Sequence, residues 1–173
     1  PSRRQRQMCI RDSQYISSKY PEQELKFDVE KIKLTTIDIE VASENGFPDV
    51  ESAAEEVLLI TLQDYTTKQI RTWGLGSFNH NQKNLLYKGF DTEYQLLSDF
   101  INWWMIEENT PEVITGWNSK FYDIPYLCRR IDRVLGEKLK KRMSPWGLVT
   151  EEETHIMGLS LIHISEPTRP SSI

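Results

Sequence analysis

The sequence predicts an α/β fold in which helices flank a sheet of mixed strand direction. Three consecutive segments have the pattern of β-strands, and a helix, a further strand and a second helix follow them. The order β-β-β-α-β-α indicates a mixed sheet, because a three-stranded meander precedes a helix-strand-helix unit. The chain contains no internal repeat and no low-complexity tract.

The three leading strands are predicted from their apolar patterns. Residues 31–41 alternate apolar and polar side chains and are rich in β-branched residues, which indicates a strand. A loop over 42–49 contains Asn-Gly and Phe-Pro pairs, which are typical of turns. Residues 57–63 form a continuous apolar run, typical of a central strand. Residues 69–75 predict a third, antiparallel strand, because only a short polar turn precedes them.

The first helix is predicted within residues 91–109, where apolar side chains recur at helical spacing. Asp91 or Thr92 can cap its start, and Glu93 is favourable in its first turn. Pro111 ends the helical pattern. The apolar positions of this helix are Leu96, Leu97, Phe100, Ile101, Trp104 and Met105.

A short buried strand at 112–116 and a second helix over 122–136 complete the predicted elements. Pro125 is tolerated in the first helical turn, and Gly136 ends the helix. The side chains predicted to face mostly inward are Tyr126, Leu127, Cys128, Ile131, Val134 and Leu135.

The two ends of the chain differ from the rest. Residues 1–13 are dense in Arg and Gln without an apolar period, and residues 159–173 begin with "LSLIHISEPTR". Both resemble in-frame translations of the paired adapters of transposase-type sequencing libraries, so we expect them to be adapter-derived and exclude them from the fold. We expect 14–30 to be the end of a preceding segment, and 31–158 to be one domain that is incomplete at its C-terminal end.

Charge and cysteine content exclude several classes of protein. The terminal segments hold five of the 21 basic and two of the 26 acidic residues, so the part between them has a net charge of −8. Any contact with nucleic acid must therefore be local or metal-mediated. The one basic cluster, residues 136–142, is either a solvated helix end or a contact to a phosphate backbone.

Cys128 is the only cysteine between the terminal segments, which excludes a disulfide framework. No apolar run is long enough to span a membrane. We expect a cytoplasmic protein.

Two carboxylates lie one residue apart in the first strand, within "TIDIEV". Side chains alternate faces along a strand, so Asp38 and Glu40 point the same way with Cα atoms about 6.7 Å apart. Two like charges this close either face water or share a cation. The pair is therefore either a solvated strand face or half of a metal site.

A third carboxylate favours the metal site. Asp123 is predicted at the start of the second helix, shortly after the strand at 112–116. In open α/β sheets, functional groups collect at strand ends and in the loops that follow them. Taken alone, Asp123 is an ordinary helix cap, but three converging carboxylates form the oxygen-rich environment that Mg²⁺ or Mn²⁺ prefers. Two such ions, about 4 Å apart, can hydrolyse a phosphodiester.

These motifs resemble those of a known family. "TIDIEV" is similar to the Asp-x-Glu motif of the DnaQ-like 3′→5′ exonucleases, and "TGWNSKFYDIPYL" resembles their second motif in the form found in family B DNA polymerases. "FPD" and "LGEKLKKRMSPWG" are most similar to the replicative polymerases of large tailed phages. The likeness covers about residues 31–149. It implies a ribonuclease H-like mixed sheet flanked by helices and truncated here, with 31–158 as an incomplete exonuclease domain.

The resemblance also implies residue roles. Asp38, Glu40 and Asp123 would be catalytic and would hold two Mg²⁺ ions, with Mn²⁺ as an alternative. Asn118 would contact the substrate near the scissile phosphate. Phe47 would stack on the unpaired bases of a primer end, at about 1–3 kcal/mol per base. A loop side chain packed onto the core is the alternative for Phe47.

The function implied by the resemblance is proofreading, the two-metal hydrolysis of 3′-terminal phosphodiesters in DNA by part of a DNA-directed DNA polymerase. Its partners would be the single-stranded 3′ end of primer DNA and, through parts outside this chain, the primer–template duplex and a sliding clamp. For a phage-encoded protein the location would be the cytoplasm of the host cell.

One feature of the family has no counterpart here. The third motif, Tyr-x-x-x-Asp, does not follow the second, and Asp132 is expected to face away from the site. We therefore expect little or no activity from this chain by itself. The alternatives are a stand-alone DnaQ-like exonuclease or ribonuclease, and a ribonuclease H-like module that has lost catalysis and binds DNA or a protein.

Overall fold

The computed structural model describes the residues 14–16, 18–19, 28–43, 46–156 and 159–165, with side-chain environments up to residue 150. The chain divides into two units, Pro1–Lys31 and Ile32–Ile173. In the first unit, Val29–Lys31 form a single 3₁₀ turn. The segment predicted to be adapter-derived at 1–13 lies outside the described residues.

Five strands form the main sheet of the second unit. They are β1 (Leu34–Val41), β2 (Val57–Asp64), β3 (Ile70–Leu75), β4 (Leu85–Phe90) and β5 (Val113–Thr115). Their spatial order is β4-β3-β2-β1-β5. β1 and β2 are antiparallel, as are β2 and β3, whereas β3–β4 and β1–β5 are parallel. The prediction of a mixed sheet is confirmed.

The two edge strands differ from the sequence prediction. β4 was not predicted, because Leu86, Lys88 and Gly89 leave an edge strand without a clear apolar face. β5 was predicted to be buried, and this is wrong. It pairs with β1 alone, and Val113 is 45% exposed. A short apolar run cannot reveal whether a strand lies at the centre or the edge of a sheet, since that depends on its neighbours.

The first helix, α1, spans Glu93–Trp104. Thr92 caps it, because its Oγ1 accepts a hydrogen bond from the Gln95 N–H at 3.3 Å. The helix ends about five residues before the predicted limit. There the Asn109 and Thr110 side chains donate to the Trp103 and Trp104 carbonyls, which satisfies terminal acceptors.

The second helix, α2, spans Asp123–Leu135 and ends at Gly136 as predicted. A short helix, α3 (Glu137–Lys140), and a 3₁₀ turn (Lys141–Met143) follow it. The Trp104 indole N–H donates to the Met143 carbonyl at 3.0 Å, so this segment is anchored to α1. Among the described residues, none of the helices has the length and apolar composition of a membrane span.

One hydrophobic core joins the sheet to both helices. Five of the six apolar positions predicted for α1 are buried, whereas Met105 follows the helix and is 41% exposed. On α2 the predicted inward positions are buried except for Val134 and Leu135, which are half-buried. The largest fully buried side chains include Trp73, Trp104, Tyr126, Phe100, Ile37 and Ile60.

The C-terminal strands form a separate antiparallel pair, β6 (Thr150–Ile156) and β7 (Leu159–Ser165). β6 lies in the segment that follows "SPWG". β7 falls within residues 159–173, the range predicted to derive from an adapter.

Candidate active site

The paired carboxylates lie on the solvent face of β1. Ile37 and Ile39 are 1% and 5% exposed and face the core. Asp38 and Glu40 alternate with them and are exposed. The predicted alternation is therefore present, and both carboxylates are accessible to a ligand from solvent.

The connection from β5 to α2 is packed tightly against β1. Gly116 follows β5, and a Cβ atom there would lie 2.4 Å from the Ile37 carbonyl oxygen. Asn118 adopts a left-handed conformation with φ of 59°, which asparagine tolerates better than most residues. Its carbonyl accepts the N–H groups of Phe121 and Tyr122, both at 2.9 Å, so the chain turns directly into α2.

Asp123 meets β1 at the backbone. Its side chain is buried, with 3% exposure, and Oδ1 accepts the Ile39 N–H at 3.1 Å. β5 pairs with β1 only as far as Thr36, so this N–H lies beyond the β5 pairing. Asp123 thus occupies the sheet edge beside the residue that separates Asp38 from Glu40.

The electrostatics of Asp123 link all three carboxylates. Burial raises the pKa of Asp123, and the negative charges of Asp38 and Glu40 raise it further, whereas the Ile39 N–H lowers it. Within the described residues, none of the three carboxylates forms an ion pair. A buried carboxylate beside two like charges is costly without a cation. Carboxylate oxygens are the type of donor that a hard divalent ion prefers.

The side chains are not gathered into a finished ligand set. In the part of the chain that the structure describes, no three His, Cys, Asp or Glu side chains are grouped closely enough to hold a metal ion. The structure brings Asp123 to the backbone of Ile39, between the two β1 carboxylates. The charges of Asp38, Glu40 and Asp123 interact, but the three side chains do not form a closed cluster.

An aromatic cluster of Phe47, Tyr122 and Tyr126 adjoins these carboxylates. The Phe47 and Tyr122 rings lie 4.8 Å apart, and the Tyr122 and Tyr126 rings 5.6 Å apart. Phe47 is 82% exposed, so it is not packed onto the core. Burial raises the pKa of Tyr122 to about 12, and the charges of Tyr126, Asp123 and Glu40 contribute to the shift.

The remaining sequence candidates have simple placements. Asn118 is exposed in the β5–α2 connection, five residues before Asp123. Asp132 forms an ion pair with Lys140 at 2.6 Å, so its carboxylate is directed to Lys140 and not to the site of Asp123. In the basic cluster, Lys141 pairs with Glu137 at 2.8 Å. These ion pairs favour the solvated helix end over a phosphate contact.

Sequence reasoning missed two features near the site. Trp117 is 94% exposed in the β5–α2 connection, and its place in "GWN" was the available signal. Glu93 and Arg130 form a buried ion pair at 2.7 Å. No local pattern could reveal this pair, because the two residues are 37 positions apart.

Comparison with known proteins adds independent evidence. The family model described as "DNA polymerase family B, exonuclease domain" matches residues 3–166. The DNA-directed DNA polymerase of Escherichia phage RB69 is 31% identical over 156 residues, which cover 76% of this chain and 17% of that protein. The DNA-directed DNA polymerase of Enterobacteria phage T4 is 31% identical over 160 residues, which cover 78% of this chain and 17% of that protein.

A herpesvirus DNA polymerase also matches. The DNA polymerase catalytic subunit of Human herpesvirus 6B is 34% identical over 104 residues, covering 57% of this chain and 10% of that protein. The chain thus spans about a sixth or less of the length of these relatives. The five-stranded mixed sheet with flanking helices agrees with a DnaQ-like exonuclease fold. The chain belongs to the exonuclease-domain family of the family B DNA polymerases.

Proposed function

We propose that this chain is the proofreading 3′→5′ exonuclease portion of a DNA-directed DNA polymerase. The observation that carries the proposal is the contact between Asp123 Oδ1 and the Ile39 N–H, which sets a buried carboxylate beside Asp38 and Glu40. Burial raises the pKa of Asp123, and the charges of Asp38 and Glu40 add smaller contributions in the same direction. Membership of the exonuclease-domain family and similarity to phage DNA polymerases support DNA as the substrate class.

Each residue has a role in the proposed reaction. Asp38 and Glu40 would hold divalent ions from the open face of β1, and Asp123 would approach them from the start of α2. Two Mg²⁺ ions, or Mn²⁺ in their place, would supply an activated water and stabilise the leaving 3′ oxygen. Asn118 contacts the strand near the scissile phosphate. Phe47 offers an exposed ring to an unpaired base, a sequence-tolerant contact that suits a proofreader.

The proposed partners follow from the same function. The direct partner is the single-stranded 3′ end of a primer. The primer–template duplex and a sliding clamp would be engaged through parts of the polymerase that the chain does not span. The chain has no excess of basic residues, so its contact with DNA is local and depends on the cation.

A module that has lost catalysis and binds DNA or a protein is the second candidate. The observation that favours it is the lack, among the described residues, of a closed cluster of metal-binding side chains. Intact carboxylates at all three positions favour the enzyme instead.

The deciding experiment uses the chain extended through the third motif with the corresponding segment of a related polymerase. Mg²⁺-dependent shortening of an end-labelled primer with a 3′ mismatch is followed on a gel. Digestion is expected from the parent and is expected to vanish in the variant Asp38→Ala with Glu40→Ala. The matched control is Glu107→Ala with Glu108→Ala, which removes the same charge from exposed positions and should digest normally.

Two outcomes would contradict the proposal. Digestion that persists in the Asp38→Ala, Glu40→Ala variant would assign the cleavage to other residues. A folded parent protein that fails to digest the primer would favour the binding module.

A further inference from the structure

The loop that carries Phe47 is held by α2 over its whole return to β2. The Tyr126 hydroxyl donates to the Glu55 carbonyl at 2.8 Å and accepts the Glu55 N–H at 3.1 Å. Arg129 Nη1 donates to the Val50 carbonyl at 3.1 Å. Side chains of α2 therefore bind backbone groups within residues 50–57, which we call the return segment.

A buried ion pair forms the centre of this attachment. Arg130 binds Glu93 through two hydrogen bonds of 2.7 Å, and the two side chains are 9% and 6% exposed. Arg130 Nη1 also donates to the Ala53 and Ala54 carbonyls, at 3.0 and 2.6 Å. Glu93 Oε1 also accepts the Val57 N–H at 2.8 Å. The pair thus satisfies three backbone groups of the return segment.

The strand end held by Glu93 lies opposite a candidate metal ligand. Val57 begins β2 and pairs with Val41, whereas Glu40 pairs with Leu59, so the register shifts beside Glu40. The Ala42 N–H donates to the Glu56 carbonyl at 2.8 Å just beyond this shift. A displacement of the return segment would therefore be transmitted to the backbone of Glu40.

The other end of the return segment meets the loop of Phe47. Asp49, two residues after Phe47, accepts the Ser52 N–H at 2.8 Å through Oδ2 and the Ala53 N–H at 3.0 Å through its carbonyl. Ala53 is fully buried and has a φ of 41°, in the left-handed region. A strained residue of this kind persists only where its surroundings hold it, and the Arg130 guanidinium binds its carbonyl.

We propose that Glu93 and Arg130 are positioning residues that place Phe47 and Glu40 for binding of a DNA 3′ end. This inference rests on the proposed function. Apolar side chains could fill the same space, and replacing a buried ion pair in this way often leaves a protein equally stable or more stable. An apolar pair cannot, however, bind the backbone groups of Ala53, Ala54 and Val57. The role of the pair is therefore to orient the return segment.

The test replaces both partners, as Glu93→Leu with Arg130→Met. The matched control is Asp132→Leu with Lys140→Met, which removes another ion pair of α2 that has no bond to the return segment. Three quantities are measured on the whole chain. They are the Tm, the amide hydrogen exchange of residues 46–57, and the affinity for a fluorescein-labelled single-stranded oligonucleotide with Ca²⁺ present.

The expected result separates positioning from stability. The double variant should fold but melt at a lower temperature, because three backbone groups lose their partners. Exchange of the 53–57 amides should become about tenfold faster relative to the amides of β3. Its affinity for the oligonucleotide should fall about tenfold, within the range of one lost base-stacking contact. The control variant should match the parent in exchange and affinity. Arg130→Lys, which retains the charge but loses the two-pronged contact, should show intermediate exchange and affinity.

Unchanged exchange at 53–57 in the folded double variant would overturn the inference, and so would equal effects of the control variant. If the double variant does not fold, Arg130→Lys decides by the same two measurements. A parent chain that does not bind the oligonucleotide would count against the proposed function alone. The exchange measurement would then still decide whether the pair holds the return segment.

Discussion

Asp123 combines two features that are rarely compatible in one carboxylate, burial and proximity to like charges. Its folded-state pKa is raised by burial and by Asp38 and Glu40. A raised carboxyl pKa means that the charged form is disfavoured in the folded state. The folded state therefore loses stability as the pH rises above the pKa that Asp123 has in the unfolded chain. The metal-free chain is therefore expected to lose stability through Asp123 between the acid range and neutrality.

Replacement of Asp123 by Asn tests this cost. Asn keeps an oxygen for the Ile39 N–H but removes the charge. We expect Asp123→Asn to raise the Tm of the metal-free chain at pH 7 by roughly 2–4 °C, equivalent to about 1 kcal/mol in a chain of this size. The gain should shrink as the pH is lowered and the parent carboxyl takes up a proton.

Thermal unfolding between pH 4 and pH 8 measures this effect. Asp91→Asn removes the same charge at an exposed position and serves as the control. A lower Tm for Asp123→Asn at neutral pH would show that the carboxylate is stabilising and would contradict the electrostatic description.

Phe47 allows a second test at the scale of one residue. Its ring is 82% exposed and contacts Tyr122. Phe47→Ala should leave the free energy of unfolding within about 0.5 kcal/mol of the parent, as for most exposed positions. It should weaken binding of a single-stranded oligonucleotide by about 1–3 kcal/mol, the contribution of one stacked base. Fluorescence anisotropy measures the binding.

Phe78→Ala is the matched control for Phe47, because Phe78 is 56% exposed and belongs to another aromatic group, with His80 and Tyr87. Equal affinity losses in both variants would indicate a non-specific effect of removing an aromatic ring. An unchanged affinity in Phe47→Ala would remove Phe47 from the substrate site.

Among the elements, the β5–α2 connection has little room for a larger side chain. Gly116 lies where a Cβ atom would be 2.4 Å from the Ile37 carbonyl oxygen, and a backbone atom cannot move aside as a side chain can. We expect Gly116→Ala to destabilise the fold by about 1–3 kcal/mol, the usual cost of an overpacked position. Because the same connection leads to Asp123, its displacement should also lengthen the contact with Ile39.

Chemical denaturation and hydrogen exchange of the Ile39 amide test this prediction. Thr115→Ala, at an exposed position one residue earlier, should change the free energy of unfolding by much less. A Gly116→Ala variant as stable as the parent, with an equally protected Ile39 amide, would show that β1 and the connection are not in close contact.

At the scale of the whole molecule, the candidate site links cation binding to folding. An ion that binds the folded chain raises its stability by an amount that grows with concentration, about 2.7 kcal/mol at 100 times Kd. We expect millimolar Mg²⁺ to raise the Tm of the parent and to leave the Asp38→Ala, Glu40→Ala variant unchanged. The same ionic strength of NaCl controls for general screening. A rise of equal size in both proteins would place the bound ion elsewhere.

Local periodicity in the sequence was enough to predict several parts of this protein. Alternation along 31–41 placed Asp38 and Glu40 on one face of β1, and the helical pattern after Tyr122 placed Asp123 at the start of α2. These predictions hold because side-chain direction follows directly from a strand or helix repeat. The order of the elements then indicated the mixed sheet.

Contacts between residues that are distant in sequence become visible in the fold alone. The contact of Asp123 with Ile39 spans 84 positions, and the Glu93–Arg130 pair spans 37. The exposure of β5 at the sheet edge depends likewise on its neighbours. A local pattern specifies the face on which a side chain lies, but its partner is set by the packing of whole elements. The charge on Glu93 thus suited a helix start in the sequence, while the fold buried it against a guanidinium.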